Sequence, residues 1–174
     1  SALRSVPNEA VAAPGSSIGH YRITAGTFGA VVYDAATANQ LILSNNHVLA
    51  NSSNGRDQRA YIGDPILHPG PIDGGHLPEA LIAKLSRFQP LTFLPINSRQ
   101  SAALQLPVAL TLNQAGTISL VPNLVDAAVA EPITEALITS EVMGIGSITG
   151  SREAELDLPV RKSGRTTGVT QGIV

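Results

Sequence analysis

Short apolar runs separated by glycine and proline constrain this chain more than any other feature of its sequence. The 16 glycines and 12 prolines make up 28 of the 174 residues and are scattered rather than repeated. They interrupt runs rich in Val, Ile, Leu and Thr, which favour strands over helices. Only 3% of the residues are aromatic, so aliphatic side chains must fill the core. The pattern predicts an all-β barrel or sandwich with many turns.

Charge and cysteine content exclude several classes of function. The chain carries 11 Lys and Arg against 13 Asp and Glu, a formal net charge of −2, and has no basic run. We therefore expect no nucleic-acid partner, since phosphate backbones are bound by clustered positive charge. No apolar stretch is long enough for a membrane-spanning helix, so we expect no membrane partner. Without cysteine, the chain has no disulfide, cysteine–zinc site or thiol nucleophile.

The apolar runs and the turn residues between them predict where the strands lie. Strands are predicted at 27–33, 41–44, 59–62, 81–86, 123–130, 144–150 and 160–174. The segment 1–19 is rich in Ala, Ser, Pro and Gly and is predicted to be an irregular arm, while 98–105 has the character of a short helix. The boundary of a second lobe is predicted within the connector 131–143.

Two residues stand out as candidates for chemistry. His47 directly follows an apolar strand in LILSNNHVLA, and Asp126 lies in the apolar stretch NLVDAAVA. A carboxylate among apolar residues is costly to bury unless it has a partner. Histidine is a natural partner, because a carboxylate that accepts the Nδ1–H fixes the tautomer and stabilises the imidazolium. Taken singly, each residue is better explained as part of the core or of a turn; the two environments together favour a catalytic pair.

These segments resemble the chymotrypsin/trypsin-like peptidase superfamily. SNNHV at 44–48 is similar to the family's (T/S)-(A/N)-x-H-V motif, and DAAV at 126–129 to its D-(I/A)-A-(L/V) strand. The segment 160–174 is close to K-x-G-R-T-T-G-x-T-x-G-x-V, the first hairpin of the second barrel in cysteine-free bacterial and plant members. The loop 63–75 also resembles that branch.

The resemblance implies a fold and a role for each residue. It implies a trypsin-like six-stranded antiparallel β-barrel over 20–135, after the arm 1–19, with a Pro/Gly-rich insertion that lengthens the stretch between the two site residues. A connector and the first strands of an incomplete second barrel would follow in 136–174. By resemblance, His47 is the general base of a serine endopeptidase that acts on a peptide or protein substrate, and Asp126 is its orienting acid.

The family's nucleophile has no counterpart in the sequence. The chain contains no G-D-S-G; Ser163 lies in KSGRT and Ser147 in GIGSITG, neither in a matching context. The oxyanion hole of the family is formed by N–H groups around the missing serine. We therefore expect an N-terminal part of a trypsin-like serine endopeptidase-related protein that is inactive without a Ser-bearing C-terminal segment. The alternative is a non-catalytic interaction module of the same fold, a pseudo-peptidase.

The open strand edges of an incomplete second barrel predict pairing with a C-terminal fragment or self-association. A metal site is a weaker hypothesis. His68, Asp73 and His76, with Asp64 nearby, have the chemistry to bind a divalent ion. Their spacing matches no zinc signature and the segment is rich in Pro and Gly, so a rigid surface loop is favoured, with no metal or cofactor. His20 carries no functional signal.

Overall fold

The computed structural model of the chain describes residues 11–93, 108–112 and 118–174. In this part the chain is all-β, as predicted, with one short α-helix, α1 (Asn46–Leu49). No helix there is both long and apolar enough to cross a membrane. The strands are β1 (Ser17–His20), β2 (Gly26–Thr27), β3 (Ala30–Tyr33), β4 (Gln40–Ser44), β5 (Pro65–Leu67), β6 (Leu81–Phe88), β7 (Val108–Leu112), β8 (Ile118–Pro122), β9 (Ala128–Pro132), β10 (Pro159–Gly164) and β11 (Gly168–Ile173).

Seven of the strands form one antiparallel sheet that curves into a half-barrel. Their order is β2-β1-β5-β6-β9-β4-β3, while β7–β8 and β10–β11 form separate two-stranded hairpins. The two edge strands, β2 and β3, are separated along the chain only by Phe28 and Gly29. The Phe28 N–H donates to Ser16 O at 2.9 Å and the Gly29 N–H donates to Leu43 O at 3.0 Å. A Cβ on Gly29 would lie 2.8 Å from that Leu43 oxygen, so glycine permits the close approach.

Aliphatic side chains fill the inner side of this sheet. β4 contributes Ile42 and β6 contributes Leu85, while α1 adds Val48 and Leu49 at one end. Phe28, between β2 and β3, is fully buried in the same core. Complete burial of one such side chain contributes about 1.5–3 kcal/mol. The core therefore fixes the end of β4 and the helix that follows it.

Several strand predictions agree with the structure and two are wrong. The predicted strands 41–44 and 81–86 correspond to β4 and β6, and 160–174 forms the β10–β11 hairpin. Residues 59–62 form no strand, because the Asp64 carboxylate accepts a main-chain N–H there and turns the chain. Residues 144–150 also form no strand: the chain makes a tight turn with positive φ at Gly144 and Gly146, and 147–150 are irregular.

Other boundaries differ by a few residues. The predicted strand 27–33 is divided into β2 and β3 by the close approach described above. The arm predicted for 1–19 enters the sheet at Ser17, because Ile18 and its neighbours on β1 pack into the core. The strand predicted for 123–130 begins only at Ala128. The helix predicted for 98–105 lies outside the described residues.

Candidate functional site

The end of β4 presents His47 outward. The N–H groups of Val48 and Leu49 donate to Asn45 O at 3.1 and 3.0 Å, so the chain turns from extended strand directly into α1. Val48 and Leu49 are buried in the core, whereas the His47 side chain is 55% exposed. One helical turn thus anchors the segment through its apolar residues and leaves the imidazole accessible from solvent.

The register of two strands explains why Asp126 meets His47. Ser44, the last residue of β4, pairs with Ala128, the first residue of β9. Because the two strands are antiparallel, the chain that leaves β4 and the chain that enters β9 lie at the same end of the sheet. His47 and Asp126 are a few residues beyond this pair, so the long intervening stretch does not separate them.

His47 and Asp126 form a two-point contact. The His47 Nδ1 lies 2.5 Å from Asp126 Oδ2, and the His47 main-chain N–H donates to Asp126 Oδ1 at 3.2 Å. An ionised carboxylate only accepts hydrogen bonds, so Nδ1 carries the proton. In the neutral ring, the Nε2 lone pair is therefore left to accept a proton from another group. This is the tautomer that a general base of the Ser-His-Asp type requires.

The setting of Asp126 corrects one premise of the sequence argument. The sequence predicts a carboxylate on a strand, among buried apolar residues. Asp126 lies in the loop before β9 with its side chain 32% exposed, and the neighbouring Leu124 and Val125 are exposed. Hydrogen bonds to His47, rather than burial, account for its position.

Two asparagines that precede His47 take part in the site, although the sequence did not predict a role for them. The Asn45 Nδ2 donates to Asp126 O at 3.0 Å. Asn46 is fully buried, and its Nδ2 donates to Ser53 O at 3.0 Å and to Gln89 O at 2.7 Å. The sequence feature that could have indicated their role is the pair of consecutive asparagines directly before the histidine.

The Asn46 amide also carries a cost. Its Oδ1 is buried and has no hydrogen-bond partner among the described residues. A buried acceptor without a partner costs about 1–3 kcal/mol. The two hydrogen bonds that Nδ2 donates must therefore offset the cost of this unpaired oxygen, which an apolar side chain would not carry.

A second His–Asp pair, also missed, lies inside the sheet. The His20 side chain is 0% exposed, and its Nε2 lies 3.0 Å from Oδ2 of Asp64, which is 15% exposed. The Arg22 N–H donates to His20 Nδ1 at 3.2 Å, so Nε2 carries the proton. Burial lowers the pKa of His20 below its ordinary value of 6.5, although the adjacent Asp64 opposes this effect. No local sequence pattern marked this pair, because the pairing of β1 with β5 brings together two residues that are 44 positions apart.

The loop residues considered as metal ligands have different partners and do not form one cluster. His68 Nδ1 donates to a β1 carbonyl at 2.7 Å, Asp64 binds His20, and His76 is exposed. Asp73 accepts a hydrogen bond from a β1 serine hydroxyl at 2.5 Å. Within the described ranges, no three potential metal-ligating side chains come together. The loop braces β1 and its neighbours.

The turn of the β10–β11 hairpin docks against the main sheet. The Arg165 N–H donates to Thr27 Oγ1 at 3.2 Å, and its guanidinium lies 3.3 Å from Asp73 Oδ2. Arg165 and Ser163 line a cavity of about 450 Å³ at this junction. In the part of the chain that the structure describes, no serine hydroxyl forms a hydrogen bond with His47.

Comparison with known proteins adds no relative to this description. No protein-family model matches the chain, and no curated protein matches it in sequence. The geometry of the site is therefore the basis for its function.

Proposed function

We propose that the chain is the N-terminal part of a trypsin-like serine endopeptidase-related protein, with His47 as general base and Asp126 as its orienting acid. The observation that carries this proposal is the two-point contact, with Nδ1 at 2.5 Å from one carboxylate oxygen and the His47 N–H bonded to the other. Together these contacts orient the ring and leave Nε2 on an accessible imidazole. A histidine that serves only as a structural partner of the carboxylate would not require an accessible imidazole.

The chemistry needs a serine from a segment outside these 174 residues. The serine Oγ would attack the carbonyl carbon of a peptide bond while His47 Nε2 takes its proton. His47 would then return that proton to the leaving amine, and water would release the acyl group in a second cycle of the same steps. Asp126 would stay ionised throughout and stabilise the imidazolium. Main-chain N–H groups around the serine would bind the oxyanion.

A closed six-stranded barrel is part of the proposal. β2 and β3 stand at opposite ends of the sheet order. If they are counted as the two halves of one strand, the sheet has six strands and would close into a barrel. The hydrogen bonds of Phe28 and Gly29, which continue the pairing on both sides, support this interpretation. The two site residues would then lie at one end of the barrel, where a second barrel can face them.

The β10–β11 hairpin would begin that second barrel. β11 is exposed along its whole length, and the hairpin pairs with no other strand among the described residues. Exposed strand edges bind further strands. The partner we propose is the Ser-bearing C-terminal segment, with self-association through the same edges when that segment is absent.

The decisive experiment is to express the chain together with the segment encoded after Val174 and to measure peptide hydrolysis. The longer protein should cleave peptides and react with a fluorophosphonate, and His47→Ala should abolish hydrolysis. His76→Ala, which changes an exposed histidine outside the site, is the matched control and should leave the rate unchanged. The 174-residue chain alone should show no turnover. Turnover by that chain that is lost in His47→Ala would refute the need for an external serine.

The second candidate function is a pseudo-peptidase that binds peptides without cleaving them. It is favoured by the absence of G-D-S-G from the sequence. It is also favoured because no serine is hydrogen-bonded to His47 in the described structure. A downstream segment that completes the barrel but replaces the serine, with peptide binding and no hydrolysis, would select this function over the first.

A further inference from the structure

We propose that Asn45 and Asn46 are positioning residues that hold the His47 segment and the Asp126 segment together. The inference rests on the proposed function, because it assigns the groups that orient the proposed general base. It follows from a weakness of the site: an exposed His–Asp contact holds its own geometry only weakly. The side-chain amides of Asn45 and Asn46, at the start of α1, add hydrogen bonds that hold this contact in place.

Asn45 acts directly on the acid. Its Nδ2 donates to the Asp126 main-chain carbonyl at 3.0 Å, while the His47 N–H donates to the Asp126 carboxylate at 3.2 Å. Asn45 thus holds the main chain of Asp126, and His47 holds its side chain. Rotation or withdrawal of the Asp126 loop would break both hydrogen bonds together.

Asn46 acts through Gln89, the residue that follows β6. The Asn46 Nδ2 donates to Gln89 O at 2.7 Å, and the Gln89 N–H donates to Ala127 O at 2.8 Å. Ala127 is the neighbour of Asp126, so this chain of hydrogen bonds reaches the acid from the other side. The second Asn46 bond, to Ser53 O, secures the chain that leaves α1.

The two amides therefore form an asparagine clamp, defined as Asn45 and Asn46 with their acceptors. Consecutive side chains reach opposite sides of the His47 segment, one exposed and one fully buried. A purely structural asparagine would stabilise the fold without affecting the imidazole. The clamp has a further consequence: it sets which ring nitrogen of His47 carries the proton, because it fixes the carboxylate against Nδ1.

The test measures the His47 tautomer ratio, Nδ1–H to Nε2–H, by ¹⁵N NMR of the histidine-labelled 174-residue chain at alkaline pH, where the ring is neutral. Asn45→Ala should lower the ratio about fivefold, the effect of one ordinary hydrogen bond. Asn46→Ala should lower it by roughly tenfold or more, since two hydrogen bonds are lost. Asn39→Ala, in the exposed β3–β4 turn, is the control and should leave the ratio unchanged.

A double-mutant cycle separates positioning from general destabilisation. In the Asp126→Ala background, Asn45→Ala should have no further effect on the ratio, because there is no carboxylate left to position. Circular dichroism and amide spectra establish that each variant is folded; if Asn46→Ala does not fold, Asn45→Ala decides the question.

An unchanged ratio in folded Asn45→Ala would overturn the clamp, as would an equal effect of Asn45→Ala with and without Asp126. Peptide hydrolysis by the longer protein tests the proposed function separately. Hydrolysis with an unchanged ratio refutes only the clamp, and a changed ratio without hydrolysis refutes only the catalytic role.

Discussion

The inner pair, His20 with Asp64, and the outer pair, His47 with Asp126, join the same two residue types but differ in burial and in the ring nitrogens that they use. In the inner pair, His20 uses both ring nitrogens: Nε2 donates to Asp64 and Nδ1 accepts a main-chain N–H. In the outer pair, His47 uses Nδ1 for Asp126, and Nε2 has no partner in the described structure. The inner ring is fully satisfied and enclosed, so it has no nitrogen to offer a substrate. A histidine can act as a general base only where one ring nitrogen stays accessible, and of these two residues only His47 meets that condition.

Burial also separates the energetic roles of the two pairs. His20 is fully buried and joins β1 to the turn before β5, whereas His47 is more than half exposed. Breaking a buried pair leaves a polar group without a partner, while breaking an exposed pair lets water replace it. The inner pair should therefore determine stability and the outer pair activity. Four experiments examine this division.

The largest expected effect is on catalysis. In the longer protein, Asp126→Asn should lower kcat about 10⁴-fold, because an amide that donates to Nδ1 selects the wrong tautomer of His47. Steady-state hydrolysis of a peptide substrate measures this. Asp64→Asn should lower stability but leave kcat per folded molecule unchanged. A comparable loss of kcat in both variants would remove the distinction between the pairs.

The next effect is on stability. His20→Ala should lower the free energy of unfolding by about 3–5 kcal/mol, because Asp64 loses its side-chain partner, the Arg22 N–H loses its acceptor and a buried ring is removed. Urea unfolding followed by circular dichroism measures the change. A loss below about 1 kcal/mol, the range of an exposed pair, would show that the inner pair is not a structural brace.

The pH dependence of stability should report the inner pair. Because burial lowers the pKa of His20, the unfolded chain binds a proton more readily than the folded one. The contribution of His20 is therefore fully present above its ordinary pKa of 6.5 and is lost as the pH falls below that value. The slope from this one group can reach about 1.4 kcal/mol per pH unit. Urea unfolding between pH 8 and pH 5 should show a smaller slope in His20→Gln, and an equal slope would contradict the assignment.

The smallest effect is expected at the outer pair. His47→Ala should change the free energy of unfolding of the 174-residue chain by no more than about 0.5–1 kcal/mol, because the ring is exposed and its partner remains accessible to water. Thermal and urea unfolding of the same variant used in the activity assay provide this value. A loss as large as that of His20→Ala would indicate that His47 is held for stability.

The local sequence was sufficient for the class of fold and for much of the strand pattern. Alternation and turn residues predicted β4, β6 and the β10–β11 hairpin, because neighbouring residues determine whether a short apolar run is extended. It failed at 59–62, where the Asp64 carboxylate accepts the Tyr61 N–H and turns the chain, and at 144–150, where two glycines adopt positive φ. It also left 27–33 undivided, although its two parts, β2 and β3, form the two edges of the sheet. The first two errors are local turns within apolar sequence, whereas the division of 27–33 depends on contacts with segments distant in the sequence.

The sequence by itself determined that this chain is all-β and that His47 and Asp126 are the residues to consider together. Only the tertiary structure decided how they meet: the pairing of Ser44 with Ala128 brings their loops to the same end of the sheet. It also decided that this pair is exposed while the one at His20 is buried. The reason is physical, since strand propensity depends on neighbours in sequence, whereas register, burial and the choice of hydrogen-bond partner depend on residues that only folding brings together.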